Sequence, residues 1–233
     1  MHAPENSLAA LQAAVDLGIA GSEVDLRTSK DGHLVLIHDA TLERTTNGQG
    51  QVSQLLLSDL KKLFLKDKKN NITRQRIPTL EQALKLLKKN PNFNLALDLK
   101  QADPAQAARV VVKHDVTGQV LFAIANPQKV AQIRAIQKVD PRLKVSVDIL
   151  SWWKIEGLPS FTVKALGVQA LFASEWFFPR CGFGEAIEAG AQIIVFLWGD
   201  RDLEKRFGRA VSLGAQVVSS DRPDVLIRLM EKQ

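Results

Sequence analysis

The 233-residue chain reads as an α/β protein, a (β/α)8 barrel of the TIM type that lacks its first strand, and three observations carry that reading. Short apolar runs alternate with amphipathic stretches from residue 94 onward, the pattern of a parallel sheet covered by helices. Ahead of them, a strand from about Ser22 to Thr28 leads into a hairpin. That strand and the six later runs make seven, one short of the barrel, and only Met1 to Glu5 stand where the first strand belongs. The expectation is a single domain over 1–233, with a small insertion at about 45–77.

The elements follow in order. Asn6-Ser7 offers an N-cap, Leu8, Leu11 and Val15 recur at helical spacing, and Gly18 closes the helix. The hairpin turns at Asp31-Gly32, a pair suited to a two-residue loop because both positions take positive φ. A turn centred there sets Asp25 opposite His38. In the insertion, the basic run from Lys61-Lys62 to Lys68-Lys69 reads as a solvated helix end and loop. Thr79 caps a helix over Leu80 to Lys89. Buried strands are expected at 94–99, 120–125, 144–150, 168–173, 192–198 and 215–220. Helices are expected over Pro104 to His114, Pro127 to Val139, Gly184 to Gly190, Leu203 to Leu213 and Pro223 to Glu231.

Composition narrows the function classes. With 45% hydrophobic and 24% charged residues and a mean hydropathy of −0.05, no run is apolar enough to span a membrane. The single cysteine, Cys181, excludes an intramolecular disulfide and a cysteine metal site. A net charge of +6 suits an anionic small-molecule substrate and does not argue for nucleic acid. No signal-peptide pattern opens the chain as given, which leaves the compartment open with the cytoplasm favoured.

The chemistry-bearing residues gather on two strands. Glu23 and Asp25 share a strand face because side chains alternate, and His38 lies on the returning strand of the hairpin. Asp98 and Lys100 alternate with Leu97 and Leu99, so they too share a face. Oxygen-only donors suit a hard cation, Mg²⁺ or Ca²⁺, rather than zinc. A divalent cation, a lysine and a histidine around one pocket make a phosphate-ester site, in which cation and lysine neutralise charge and the histidine moves a proton. The plainer alternative is polar edge decoration with a buried Asp98–Lys100 ion pair. His33 and His114 read as surface residues. Asn47-Gly48-Gln49-Gly50 is a turn too short for a nucleotide loop.

In order and spacing, APENS, EVD, KDGHLVLIHD, LERTTNGQG, IPTLEQAL and LDLK resemble the glycerophosphodiester phosphodiesterases. The match is close over the first hundred residues and looser through NPQKVAQIR, the Trp198 strand and SSDRPD. The resemblance implies a metal-dependent barrel that cleaves glycerophosphodiesters to an alcohol and glycerol 3-phosphate. It carries over Glu23, Asp25 and Asp98 as metal ligands, His38 as a proton-transfer residue and Lys100 as a phosphate contact. Trp198, at a strand end, would line the substrate pocket, or else pack in the core.

The chain departs from the family pattern in places. It offers no His-Arg-Gly at the end of a first strand; His2 stands directly before Ala3-Pro4-Glu5-Asn6, too late for that role. The chain as given is therefore expected to turn over poorly. Ile124-Ala125 precedes Asn126-Pro127 where many members have Ser-Phe, and Asp98 stands where a glutamate is more frequent. Two other readings stay open: a lysophospholipase D, and a non-catalytic descendant that binds metal or phosphodiester. Trp152-Trp153 and Trp176-Phe177-Phe178 follow strands, where they would meet an acyl chain or a membrane surface, or pack on one another. The partners implied are a small-molecule phosphodiester and, at most, a peripheral membrane contact.

Overall fold

The computed structural model describes residues 3–125, 129–148, 158–174, 183–199, 201–212 and 214–231. His2, Asn126-Pro127, Trp152-Trp153, Trp176 to Phe178 and Cys181 lie outside them, with the expectations attached to those residues. The chain divides into two compact units, Met1–Phe122 with Arg134–Leu143, and Ala123–Ile133 with Lys144–Gln233.

The first unit begins with α1 (Leu8–Asp16), capped by Ser7, whose hydroxyl oxygen accepts from the Ala10 N–H at 3.0 Å. Next come β1 (Gly21–Thr28) and β2 (Leu34–Leu36), joined antiparallel. The insertion holds a 3-10 turn (Val52–Gln54), α2 (Leu57–Leu60) and a small hairpin of β3 (Phe64–Lys66) and β4 (Ile72–Arg76). It closes over a core where Leu42, Val52, Leu60 and Leu65 bury against Val35 of β2 and Ile37 just after it. A capping box at Thr79 and Gln82 starts α3 (Leu80–Lys88). Then follow β5 (Asn94–Gln101), α4 (Pro104–Lys113) capped by Asp103, β6 (Val120–Ile124) and α5 (Val130–Val139). In the sheet the order is β6, β5, β1, β2, with β1 parallel to β5.

The hairpin differs by one residue from the expected register. Leu26, Arg27 and Thr28 face Leu36, Val35 and Leu34, and the Ser29 N–H donates to the His33 carbonyl at 2.9 Å. The loop thus has three residues, Lys30 to Gly32, of which Gly32 takes the left-handed conformation at φ +83°. Asp31 is held out of a two-residue turn by its side chain, which accepts from the Ser29 hydroxyl at 2.7 Å and the Leu57 N–H at 3.0 Å. Asp25 therefore lies opposite Ile37, whose N–H donates to its carbonyl at 3.0 Å, and not opposite His38.

The second unit repeats strand and helix: β7 (Lys144–Asp148), α6 (Leu158–Leu166), β8 (Ala170–Ser174), α7 (Phe183–Glu188), β9 (Gln192–Leu197), α8 (Leu203–Ser212), β10 (Val217–Ser220) and α9 (Pro223–Met230). Its strands pair in that order and all parallel. Helix α6 has no counterpart in the sequence reading, because Ser, Phe, Thr and Val give LPSFTVKAL little intrinsic helix preference. Strands β8 and β10 start two residues later than expected. At those places the Gln169 and Gln216 side-chain oxygens accept the Val145 and Ile193 N–H groups, at 2.9 and 2.8 Å.

Parallel pairing of β1 with β5 in the first unit and of β7 through β10 in the second, with β2 added antiparallel, gives the expected α/β class and strand succession. Along the outer edge of β1, β2 pairs with Leu26 to Thr28, and next to them the Asp25 N–H donates to Asn6 Oδ1.

Candidate metal and phosphodiester site

Parallel pairing of β1 and β5 sets Asp25 directly beside Asp98, with Glu23 beside Ala96. Cross-strand partners share a face, so three carboxylates converge; one oxygen of each lies within 4.8 Å of the others. Past this point the register slips. Leu26 faces Leu99, but Arg27 faces Gln101, leaving Lys100 as an extra residue on β5. Such a bulge re-aims a side chain. Here the Lys100 ammonium returns to the cluster, 2.6 Å from Asp98 Oδ2 and 3.2 Å from Asp25 Oδ1. The Asp98–Lys100 ion pair of the plainer alternative is thus present, and Asp25 shares it.

The electrostatics test whether a cation fits. The Glu23 carboxyl is pushed up to about 8 by desolvation and then by the charges of Asp25 and Asp98, with Lys100 pulling the other way. Glu23 is exposed as a residue, so this is the desolvation of a crowded pocket open on one side. The two neighbouring carboxylates are the influence that a bound cation relieves. For Lys100, desolvation alone lowers the value, but Asp98 and Asp25 outweigh it and leave the ammonium strengthened. Once a cation relieves that repulsion and Glu23 ionises, three carboxylates against one ammonium leave two negative charges in excess, the complement of a divalent ion. The donor set is all oxygen, as a hard cation requires.

Two shells of support were not read from the sequence. Asn6 takes a left-handed backbone conformation, φ 53°, and grips Asp25 twice. Its Oδ1 accepts from the Asp25 N–H at 2.9 Å and its Nδ2 donates to Asp25 Oδ2 at 2.7 Å. The capping role of Ser7 masked this second use of Asn6; asparagine's tolerance of the left-handed region was the available signal. Arg44 is the other. Its guanidinium makes two hydrogen bonds to Glu5, at 2.8 and 2.9 Å, and two to Asp39, at 2.6 and 2.9 Å.

His38 reaches this region from the bend after β2, not from the strand itself. It lines a pocket of about 300 Å³ with Glu5, Asn6, Glu23 and Asp25. Its Nδ1 sits 2.7 Å from Asp39 Oδ1. Asp39 is held well below the ordinary carboxylate range, chiefly by the hydrogen bond from Arg44 and further by His38, so it stays ionised and accepts. Nδ1 is then the protonated nitrogen, and Nε2 is left for the pocket. Arg27 fixes the backbone on the other side, donating from Nε to the His38 carbonyl at 2.9 Å.

Trp198 belongs to the second unit. The residue is 52% exposed, and its indole stacks parallel on Phe196 at 5.1 Å, which in turn stacks on Phe172 at 4.9 Å. The tryptophan is therefore not core packing. His33 is a surface residue beside Asp31, and Asn47 serves the insertion by accepting from the Phe64 N–H at 2.8 Å.

Residues 1–225 match the model of the glycerophosphoryl diester phosphodiesterase family. The chain belongs to that family. Family members are phosphoric diester hydrolases. One relative, a glycerophosphodiester phosphodiesterase of Caldanaerobacter subterraneus subsp. tengcongensis, is 27% identical over 99% of this chain and 94% of its own length. A glycerophosphodiester phosphodiesterase of Agrobacterium tumefaciens superposes with a TM-score of 0.80 at 26% identity, covering 95% of this chain and 92% of that one. A phosphodiesterase of Oleispira antarctica, solved in complex with the product sn-glycerol-3-phosphate, gives a TM-score of 0.78 at 24% identity over 99% and 92% of the two chains. That last likeness is one of fold. The fold of the phosphodiesterase family is thus the fold of this chain.

Proposed function

We propose that the chain hydrolyses glycerophosphodiesters to an alcohol and glycerol 3-phosphate with one divalent cation, Mg²⁺ or Ca²⁺, held by Glu23, Asp25 and Asp98. The observation that carries this reading is the register of β1 on β5, with Asp25 beside Asp98 and the Lys100 ammonium returned to both. Such a cation, when bound, supplies Lewis-acid charge to a phosphoryl oxygen.

The remaining roles fall to the chain's own side chains. Lys100 presents a fixed positive charge to a phosphate oxygen as charge builds there. His38 holds its Nδ1 proton against Asp39, and Nε2 is the atom that takes or returns a proton. In the order of events the resemblance suggests, a glycerol hydroxyl attacks phosphorus and gives up its proton while the alcohol leaves with one. Water then opens the cyclic phosphate. His38 acts on one side of that exchange and a second acid–base group on the other. A substrate contact by Trp198 is what the resemblance implies.

A non-catalytic role in binding metal or phosphodiester is the second reading. One observation favours it: among the described residues, His38 is the single imidazole lining the pocket. The test is release of glycerol 3-phosphate from glycerophosphocholine, by the chain as given and by a form carrying an N-terminal strand that ends in His-Arg-Gly. Release by either form, stopped by a chelator, supports the diesterase. Metal binding without release by both favours the binding role. Lysophosphatidylcholine in the same assay separates a lysophospholipase D.

A further inference from the structure

The whole net charge of the chain sits in one short segment. Residues 61–76, KKLFLKDKKNNITRQR, carry seven Lys and Arg against one Asp, a net +6, which equals the net charge of all 233 residues. The remainder is balanced. This segment is the small hairpin of the insertion with its approach and turn, and it is built as a two-faced layer. Leu65 points inward and is fully buried in the insertion core. The outward face is set by pairing: Phe64 lies opposite Arg76 and Lys66 opposite Ile72, and Arg74 shares the side of Ile72 and Arg76.

The contacts of these cations divide them into two groups. Arg76 is structural, donating to the Lys61 and Lys62 carbonyls at 3.0 and 2.7 Å and lying 4.1 Å over the Phe64 ring. Lys66 is tied to the Glu43 carbonyl at 2.7 Å, and Lys62 pairs with Asp59 at 2.8 Å. Asp67, the segment's one acid, is turned into its own loop, accepting from the Lys69 and Asn71 N–H groups at 2.8 and 2.9 Å. Lys61, Lys68, Lys69 and Arg74 are exposed, and none forms a salt bridge among the described residues. In the chain Ile72, 60% exposed, stands between Lys69 and Arg74, an aliphatic side chain at the entry to β4.

We propose that this face docks the protein on an anionic lipid surface, with Lys61, Lys68, Lys69 and Arg74 on the headgroups and Ile72 entering the acyl boundary. An anionic leaflet attracts basic residues within a Debye length, each worth about fivefold in binding, and an exposed aliphatic residue adds to the same contact. Nucleic acid fits less well. Single strands are bound by stacking bases on aromatic rings, and the one aromatic of this segment, Phe64, is already covered by Arg76. The proposal is independent of the diesterase reading, because it needs neither the acidic cluster nor His38.

The experiment is cosedimentation of the whole protein with vesicles of phosphatidylcholine alone and of phosphatidylcholine with phosphatidylserine at about 3:1. Binding to the mixed vesicles, little to the neutral ones, and loss as salt rises from about 0.05 to 0.5 M is the expected result. The triple variant K68E/K69E/R74E, which changes exposed side chains alone, loses on the order of 10² in partition or more. Ile72→Ser loses several-fold with its salt dependence unchanged. Circular dichroism and denaturant unfolding confirm that each variant is folded. Equal binding to both vesicle types, or no effect of the triple variant, overturns the proposal. Tighter binding to a single-stranded oligonucleotide than to the anionic vesicles does so too, in favour of nucleic acid.

Discussion

Two pairs of neighbouring parallel strands, β1 with β5 in the first unit and β8 with β9 in the second, place their polar residues in opposite ways. In the first, β1 and β5 alternate buried leucine and valine with Glu23, Asp25, Arg27, Asp98 and Lys100, and each of these charges lies near another. In the second, the described parts of β8 and β9 bury Leu171, Phe172, Ile193, Ile194 and Val195 and carry no ionisable side chain. Both are parallel sheets made by the same backbone rules. The difference is that a strand buried on both faces accepts charge only where charges compensate one another, and the first unit supplies that compensation through a register, a bulge and two flanking clamps.

Substitutions on either side sharpen or break this contrast. The largest effect is expected at His38. In whichever form turns over substrate, His38→Ala loses on the order of 10²–10⁴-fold in rate, measured as glycerol 3-phosphate release, with metal binding intact. A rate within a few-fold of the parent removes the imidazole from the reaction. In the second unit, Leu171→Ala truncates a fully buried side chain on β8 and should cost about 2–5 kcal/mol in denaturant unfolding. Its metal affinity should stay within about twofold, because Leu171 is buried in the other compact unit. A large loss of metal affinity would dissolve the contrast.

Asp25→Ala comes next. It removes one ligand, both Asn6 contacts and one partner of Lys100, and calorimetric titration with Mg²⁺ or Ca²⁺ should show affinity down by at least about 10²-fold. Equal binding by parent and variant rules the cluster out as the metal site. Arg44→Ala is milder, about tenfold in rate, since it frees Asp39 and Glu5 without touching the reacting groups. Its signature is spectroscopic: ¹⁵N shifts of His38 should move from a fixed Nδ1–H form toward a mixture, and Arg44→Lys should restore part of the order.

The smallest effect is in acid. Asp39 is held below its unfolded value of about 3.9, so its contribution to stability is complete above that value and is lost as pH falls toward the folded one. Melting temperatures of the parent should therefore drop more steeply below about pH 4 than those of Arg44→Ala. Parallel curves would mean that the pair adds nothing measurable.

Much of the site was legible because local rules suffice for it. Alternation placed Glu23 with Asp25 and Asp98 with Lys100, and alternating strands and helices announced the α/β class. The hairpin register was misread by one residue because Asp31 serves as a side-chain acceptor for Ser29 and Leu57, a use that dipeptide preference does not reveal. Helix α6 escaped for want of helix-favouring residues; packing supplies what propensity lacks there.

By itself, then, the order of residues determined which strands carry charge and on which face, since side-chain periodicity is a property of the backbone. Only the tertiary structure decided that Asp25 stands beside Asp98, that Lys100 turns back to meet them, and that Arg44 and Asn6 brace the whole. Those outcomes depend on register between strands about seventy residues apart in the chain and on a bulge that shifts it. Parallel pairing has no short turn to set its offset, so that offset comes from the packing of every element around it.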